Sequence, residues 1–233
     1  MIVAADYDRL RPALALARNL RGAAGLFKVG SQLFTAEGPH VVDRLAKLGY
    51  EIFLDLKFHD IPNTVAGAVS AAADLHDVAM LTLHASGGMA MMKAARETLA
   101  SRKTRPLLLG VTVLTSLAEA ALQQIGIRET PASQALALAK LAAQADMDGV
   151  VASAHEARAI RQACGPKFLI VVPGVRPADT AANDQSRVAT PAEAIRAGAD
   201  YLVIGRPITA APDPRRAALS IASEIASVSV GSK

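Results

Sequence analysis

The feature that most constrains this chain is an alternation. Short apolar runs stand at residues 2–5 (IVAA), 26–30 (LFKVG), 51–56 (EIFLDL), 79–85 (AMLTLHA), 106–113 (PLLLGVTV), 149–153 (GVVAS), 168–172 (FLIVV) and 201–205 (YLVIG). Between them lie Ala- and Leu-rich segments with helical spacing, such as RLRPALALARNLRG, TVAGAVSAAADLH and AHEARAIRQACG, several of which end at glycine, a common helix stop. Strands alternating with helices predict βαβ units and a parallel sheet covered on both faces. Eight such units closing on themselves predict an α/β fold of the (β/α)₈ TIM-barrel type, with PDPRRAALSIASEIASV as the closing helix. The rival, an open doubly wound sheet, needs a glycine-rich phosphate loop after its first strand. Here that strand is followed by DYDRLRP.

A chain of 233 residues, 52% of them hydrophobic, can fill one such barrel, so residues 1–233 are expected to form a single catalytic domain. The one cysteine, Cys164, leaves no internal disulfide framework and suits a reducing cytosol. The sequence has no run of about 18 uncharged apolar residues and no leader-like N-terminus, so a soluble, cytoplasmic protein that does not enter membranes is expected. Its net charge of +4 comes from scattered Lys and Arg, and its aromatic content is 3% with no Trp. Nucleic acid is therefore not an expected partner, and small anions suit the basic excess better.

Barrel enzymes build their sites at the C-terminal ends of the strands. Polar residues gather there: Asp6 after the first strand, Lys28 near the end of the second, and Asp55, Lys57 and Asp60 at the end of the third. In an extended strand Asp55 and Lys57 share a face, and Pro62 is expected to end regular pairing before Thr64 begins the next segment. The same DxKxxD pattern also suits a salt-bridge patch at a strand end. Thr115 and Ser116 follow the fifth strand, Pro173 and Arg176 (PGVRP) the seventh, and Gly205 and Arg206 (IGRPI) the eighth. Loops after the last two strands of this fold recurrently bind phosphate. Gly174 and Gly205 would let backbone N–H groups approach an anion, and each arginine offers a two-pronged donor. Two long, weakly patterned stretches, 114–131 and 174–191, follow strands, and Gln185 in the second could fold over an anion. No two of the five histidines have metal-ligand spacing, and there is no GxSxG nucleophile elbow.

Taken together and in order, FKVG, DLKFHDIPNT, VTVLTS, VVPGVRP, a DQ in the next loop and YLVIGRPIT resemble the orotidine 5′-phosphate decarboxylase family over nearly the whole chain. One departure is Ala5, where the family often has Leu before its first aspartate. The resemblance implies a homodimeric barrel that converts orotidine 5′-phosphate to UMP, the last step of pyrimidine nucleotide biosynthesis, with no metal and no cofactor. It implies that Lys57 protonates C6 of the pyrimidine, flanked by Lys28, Asp55 and Asp60, and that Asp60 and Thr64 reach the partner's site. It further implies that Asp6 and Lys28 hold ribose hydroxyls, that Thr115 and Ser116 meet the pyrimidine edge, that Arg176, Gln185, Gly205 and Arg206 surround the phosphate, and that Pro173 is among the substrate-binding residues. Two alternatives stand beside it. Sugar-phosphate lyases of the same barrel class share the DxKxxD strand but use Mg²⁺, with an acidic residue where this chain has Lys28; a lysine there repels a divalent cation. A catalytically silent nucleotide-binding barrel is the other.

Overall fold

The computed structural model describes residues 1–177 and 189–230. Among these, eight parallel strands form a closed barrel in sequence order. They are β1 (Ile2–Ala4), β2 (Leu26–Gly30), β3 (Glu51–Phe58), β4 (Val78–His84), β5 (Leu107–Val111), β6 (Gly149–Val151), β7 (Leu169–Pro173) and β8 (Tyr201–Ile204). Helices pack outside them: α1 (Leu10–Asn19), α2 (Ser31–Glu37), α3 (His40–Ala46), α4 (Pro62–Ala73), α5 (Gly88–Glu97), α6 (Glu119–Gln124), α7 (Pro131–Gln144), α8 (Ala154–Cys164), α9 (Pro191–Arg196), α10 (Arg206–Thr209) and α11 (Pro214–Val230). Every expected strand is present, though the fifth ends at Val111 rather than 113, and α6 forms inside the stretch 114–131. Pro62 opens α4 instead of merely ending β3; its missing N–H falls where a helix has no partner for one.

The strand pleat sorts side chains into two cores. Ile2, Ala4, Phe53, Met80, Leu109, Val171 and Val203 fill the barrel interior. Their neighbours Val3, Ile52, Leu54, Leu81, Leu108, Ile170, Val172, Leu202 and Ile204 face the helices. Local signals fix the helix starts. Ser153 and Glu156 form a reciprocal cap on α8, Thr190 and Glu193 form one on α9, and Thr130 caps α7 ahead of Pro131.

At the N-terminal ends of the strands one device occurs twice. The Asp148 carboxylate, just before β6, accepts from the Leu108 N–H of β5 at 2.8 Å and from both Arg105 guanidinium nitrogens at 2.7 and 2.8 Å. Asp200, just before β8, accepts from the Ile170 N–H of β7 at 2.7 Å and from Arg161 at 2.6 Å. Each carboxylate thus ties one strand's start to its neighbour's, which sets register on the face opposite the polar strand ends. The Asp148 hydrogen bond raises the Arg105 pKa above its ordinary value, so the guanidinium stays charged.

Candidate active site

Residues that share the inward parity of the barrel core continue upward into a cavity of about 490 Å³ at the C-terminal ends of the strands. Above Ala4 stands Asp6, and above Phe53 stand Asp55 and Lys57. Val111 and Val113 continue β5, Pro173 ends β7, and Gly205 follows Val203. The apolar floor places the charged groups at the boundary between core and solvent, where electrostatic interactions are stronger than in bulk water.

The charges form a chain. Lys28 Nζ lies 2.8 Å from Asp6 Oδ1 and 3.7 Å from Asp55 Oδ2, and Lys57 Nζ lies 2.7 Å from the same Asp55 oxygen. The Asp55 and Lys28 side chains are 9% and 11% exposed, so both are largely withdrawn from water, whereas Lys57 at 32% reaches into the cavity. This is not a solvated salt-bridge patch. Gly30 guards the network: a Cβ there would stand 2.9 Å from Lys28 Nζ.

Lys57 does not reach this position by simple alternation. Its φ is +54°, in the left-handed region, which costs a residue with a Cβ about 1–2 kcal/mol. The ladder explains why. From the pair Leu54–Leu81 to the pair Phe58–Leu83, β3 advances four residues while β4 advances two, so β3 bulges. Opposite the bulge sits Thr82, fully buried. Its hydroxyl accepts from the Lys57 N–H at 3.0 Å and donates to Asp55 Oδ1 at 2.9 Å. No local motif announces Thr82; only the barrel's parity, which puts it inward two residues above Met80, could have pointed to it.

The cavity is further lined by Thr115, Pro173, Gly174, Arg176, Gly205, Arg206 and Thr209. Gly174 has φ +73°, a conformation that disfavours side chains. Gly205 differs: a Cβ there would meet only Ala4 at 3.6 Å and Asp6 at 3.9 Å, so packing does not require glycine and the free room belongs to the cavity. Arg176 is 5% exposed, and Arg206 begins α10 directly after Gly205.

Three expected residues lie apart from this cluster. Ser116 is exposed and outside the cavity lining, next to Thr115, which belongs to it. Asp60 and Thr64 are also exposed and outside it; Asp60 Oδ1 accepts from the Ile61 N–H, and Ile61 is 66% exposed. Gln185 lies outside the described residues. Among the described residues no group of three or more His, Cys, Asp or Glu could hold a metal ion, and no helix is long and apolar enough to cross a membrane.

His84 ends β4, with the His59 ring centroid 5.4 Å from its own. Burial, reinforced by His59 and by the Lys57 charge and opposed by Asp55, lowers its pKa below the ordinary 6.5. The folded protein therefore binds this proton less tightly than the unfolded chain. Stability then rises with pH through the window between the lowered value and about 6.5, and is lost as pH falls through it. His84→Gln should accordingly lose less thermal stability than wild type between about pH 7 and 5. Parallel Tm–pH curves for the two proteins would remove His84 from that response.

Comparison with known proteins places these features in context. The family model described as "Orotidine 5'-phosphate decarboxylase / HUMPS family" matches residues 1–221. A protein of Nitrosococcus oceani named orotidine 5′-phosphate decarboxylase is 56% identical over 228 residues, covering 98% of each chain. One of the same name from Chromohalobacter salexigens is 53% identical over 226 residues, covering 97% of this chain and 95% of that one. Among solved structures, the orotidine 5′-phosphate decarboxylase of Lactobacillus acidophilus superposes with a TM-score of 0.85 at 38% identity, covering 97% of this chain and 98% of its own.

Proposed function

Since the chain belongs to the orotidine 5′-phosphate decarboxylase / HUMPS family, we propose that it is a carboxy-lyase that converts orotidine 5′-phosphate to UMP in pyrimidine nucleotide biosynthesis. The observation that carries this reading is the Lys57 ammonium, held 2.7 Å from Asp55 at the cavity edge, with a further lysine behind it.

Loss of CO₂ from C6 of the pyrimidine leaves the bonding electron pair on a carbon whose ring cannot delocalise it. Catalysis then depends on charge already in position. In the proposed mechanism Lys57 faces C6. As the C6–carboxylate bond breaks, the ammonium stabilises the growing negative charge and passes its proton to C6, becoming a neutral amine that water reprotonates. Asp55 lies beside the departing carboxylate and raises the energy of the bound substrate more than that of the transition state. Lys28 and Asp6 hold the ribose hydroxyls, and Thr115 meets the pyrimidine edge, with Ser116 next to it. Pro173, Arg176, Gly205 and Arg206, with Gln185, surround the phosphate, and binding energy from this remote group offsets the cost of bringing carboxylates together. Asp60 and Thr64, exposed in a single chain, serve the site of a second copy in a cytoplasmic homodimer.

The chemistry is proposed to run without metal or cofactor, because Lys28 and Lys57 flank Asp55 and repel a divalent cation. Ultraviolet absorbance of orotidine 5′-phosphate, followed after adding the protein in excess EDTA, tests the reading directly. Conversion to UMP is the expected result. A folded protein that leaves the substrate intact, but acts on a sugar phosphate once Mg²⁺ is restored, would overturn it in favour of a Mg²⁺-dependent sugar-phosphate lyase.

A further inference from the structure

We infer that Thr82 is a positioning residue for the reaction, fastening the reactive lysine's backbone and the adjacent carboxylate with one hydroxyl; this rests on the decarboxylase reading above. A backbone N–H can only donate, so toward Lys57 the Thr82 oxygen must accept, and its single hydrogen is left for Asp55 Oδ1. The direction of both hydrogen bonds is therefore fixed. Asp55 is gripped on its other oxygen by Lys57 Nζ. Thr82, Asp55 and Lys57 thus close a ring: hydroxyl to carboxylate, carboxylate to ammonium, and along the lysine side chain back to its own N–H. Rotation of the carboxylate would break the hydroxyl contact, and relaxation of the bulge would withdraw the N–H.

This placement is a matter of polarity, not of filling space. The position is fully buried on the inward face of β4, two residues above Met80, and valine has the same branched shape as threonine, so valine would fill it equally well. Valine would nevertheless leave the Lys57 N–H and one oxygen of a largely buried carboxylate without these partners. The carboxylate and ammonium would then settle elsewhere, and a misplacement of about 1 Å costs about 10²-fold in rate.

The experiment compares Thr82→Val and Thr82→Ser with wild type in steady-state kinetics, UMP binding, and amide hydrogen exchange at Lys57. In Thr82→Val, kcat is expected to fall about 10²-fold while KM and UMP affinity stay within about threefold, because the phosphate and ribose contacts lie elsewhere; the Lys57 amide exchanges faster. Serine keeps the hydroxyl and restores both kcat and amide protection. A Thr82→Val protein with unchanged kcat, or a serine variant as slow as valine, would overturn the inference. The exchange measurement needs no turnover: if wild type fails to convert orotidine 5′-phosphate, the decarboxylase reading falls. Equal Lys57 protection in wild type and Thr82→Val would instead remove the fastening itself.

Discussion

Lys57→Ala is expected to lose about 10⁴- to 10⁷-fold in turnover of orotidine 5′-phosphate while still binding UMP. The range combines about 10²- to 10⁴-fold for a positioned proton donor with about 10²- to 10³-fold for a fixed charge at the developing anion. Folding should be little disturbed. The Lys57 side chain is 32% exposed, and alanine inherits the same left-handed backbone with a Cβ of the same kind, so the local strain is unchanged. The Arg176 and Arg206 side of the cavity is untouched, which is why product binding should survive. Single-turnover measurement against UMP titration separates the two effects. Turnover near that of wild type would exclude Lys57 as the proton donor.

The largest effect on stability is expected at a residue with no chemistry. Gly149 opens β6 between Leu109 and Leu169, and a Cβ there would lie 2.2 Å from the Leu169 carbonyl oxygen and 2.8 Å from its carbonyl carbon. These are backbone atoms held in a closed barrel, so they cannot swing aside as a side-chain tip would. Gly149→Ala should therefore cost about 3 kcal/mol, a large share of the roughly 5–15 kcal/mol that holds a domain together. A lowered urea midpoint at unchanged slope is the expected signature, with turnover per folded molecule preserved because Gly149 lies below the cavity. An unchanged midpoint would mean that β6 and β7 can part without penalty.

Much of the site was legible in the sequence because a barrel converts strand order into a ring. Asp6, Lys28, Asp55, Lys57, Thr115, Pro173, Arg176, Gly205 and Arg206 are spread over some 200 residues, yet each lies toward the end of an apolar run or shortly after one, and all of them line one cavity. Contacts between neighbouring strands escaped that reading. Simple alternation predicts that Asp55 and Lys57 share a face, and they do meet, but through a bulge set by pairing with β4. Thr82 stayed hidden for the same reason: alone in VAMLTLH it is an ordinary strand residue, and its meaning lies in the register across two strands. Pro62 misled in a smaller way, since proline ends a strand and begins a helix with equal ease.

The left-handed backbone at Lys57 has a consequence for how this sequence can change over generations. At that position the local backbone favours glycine or asparagine, while the proposed chemistry requires an ammonium, so on that proposal selection for turnover and selection for stability pull in opposite directions. Any descendant released from the reaction has an immediate route to a steadier fold by substituting this one residue. The position proposed to carry the chemistry is thus the one whose loss would be rewarded soonest, and a barrel that kept its shape after losing its activity would be expected to show glycine there first.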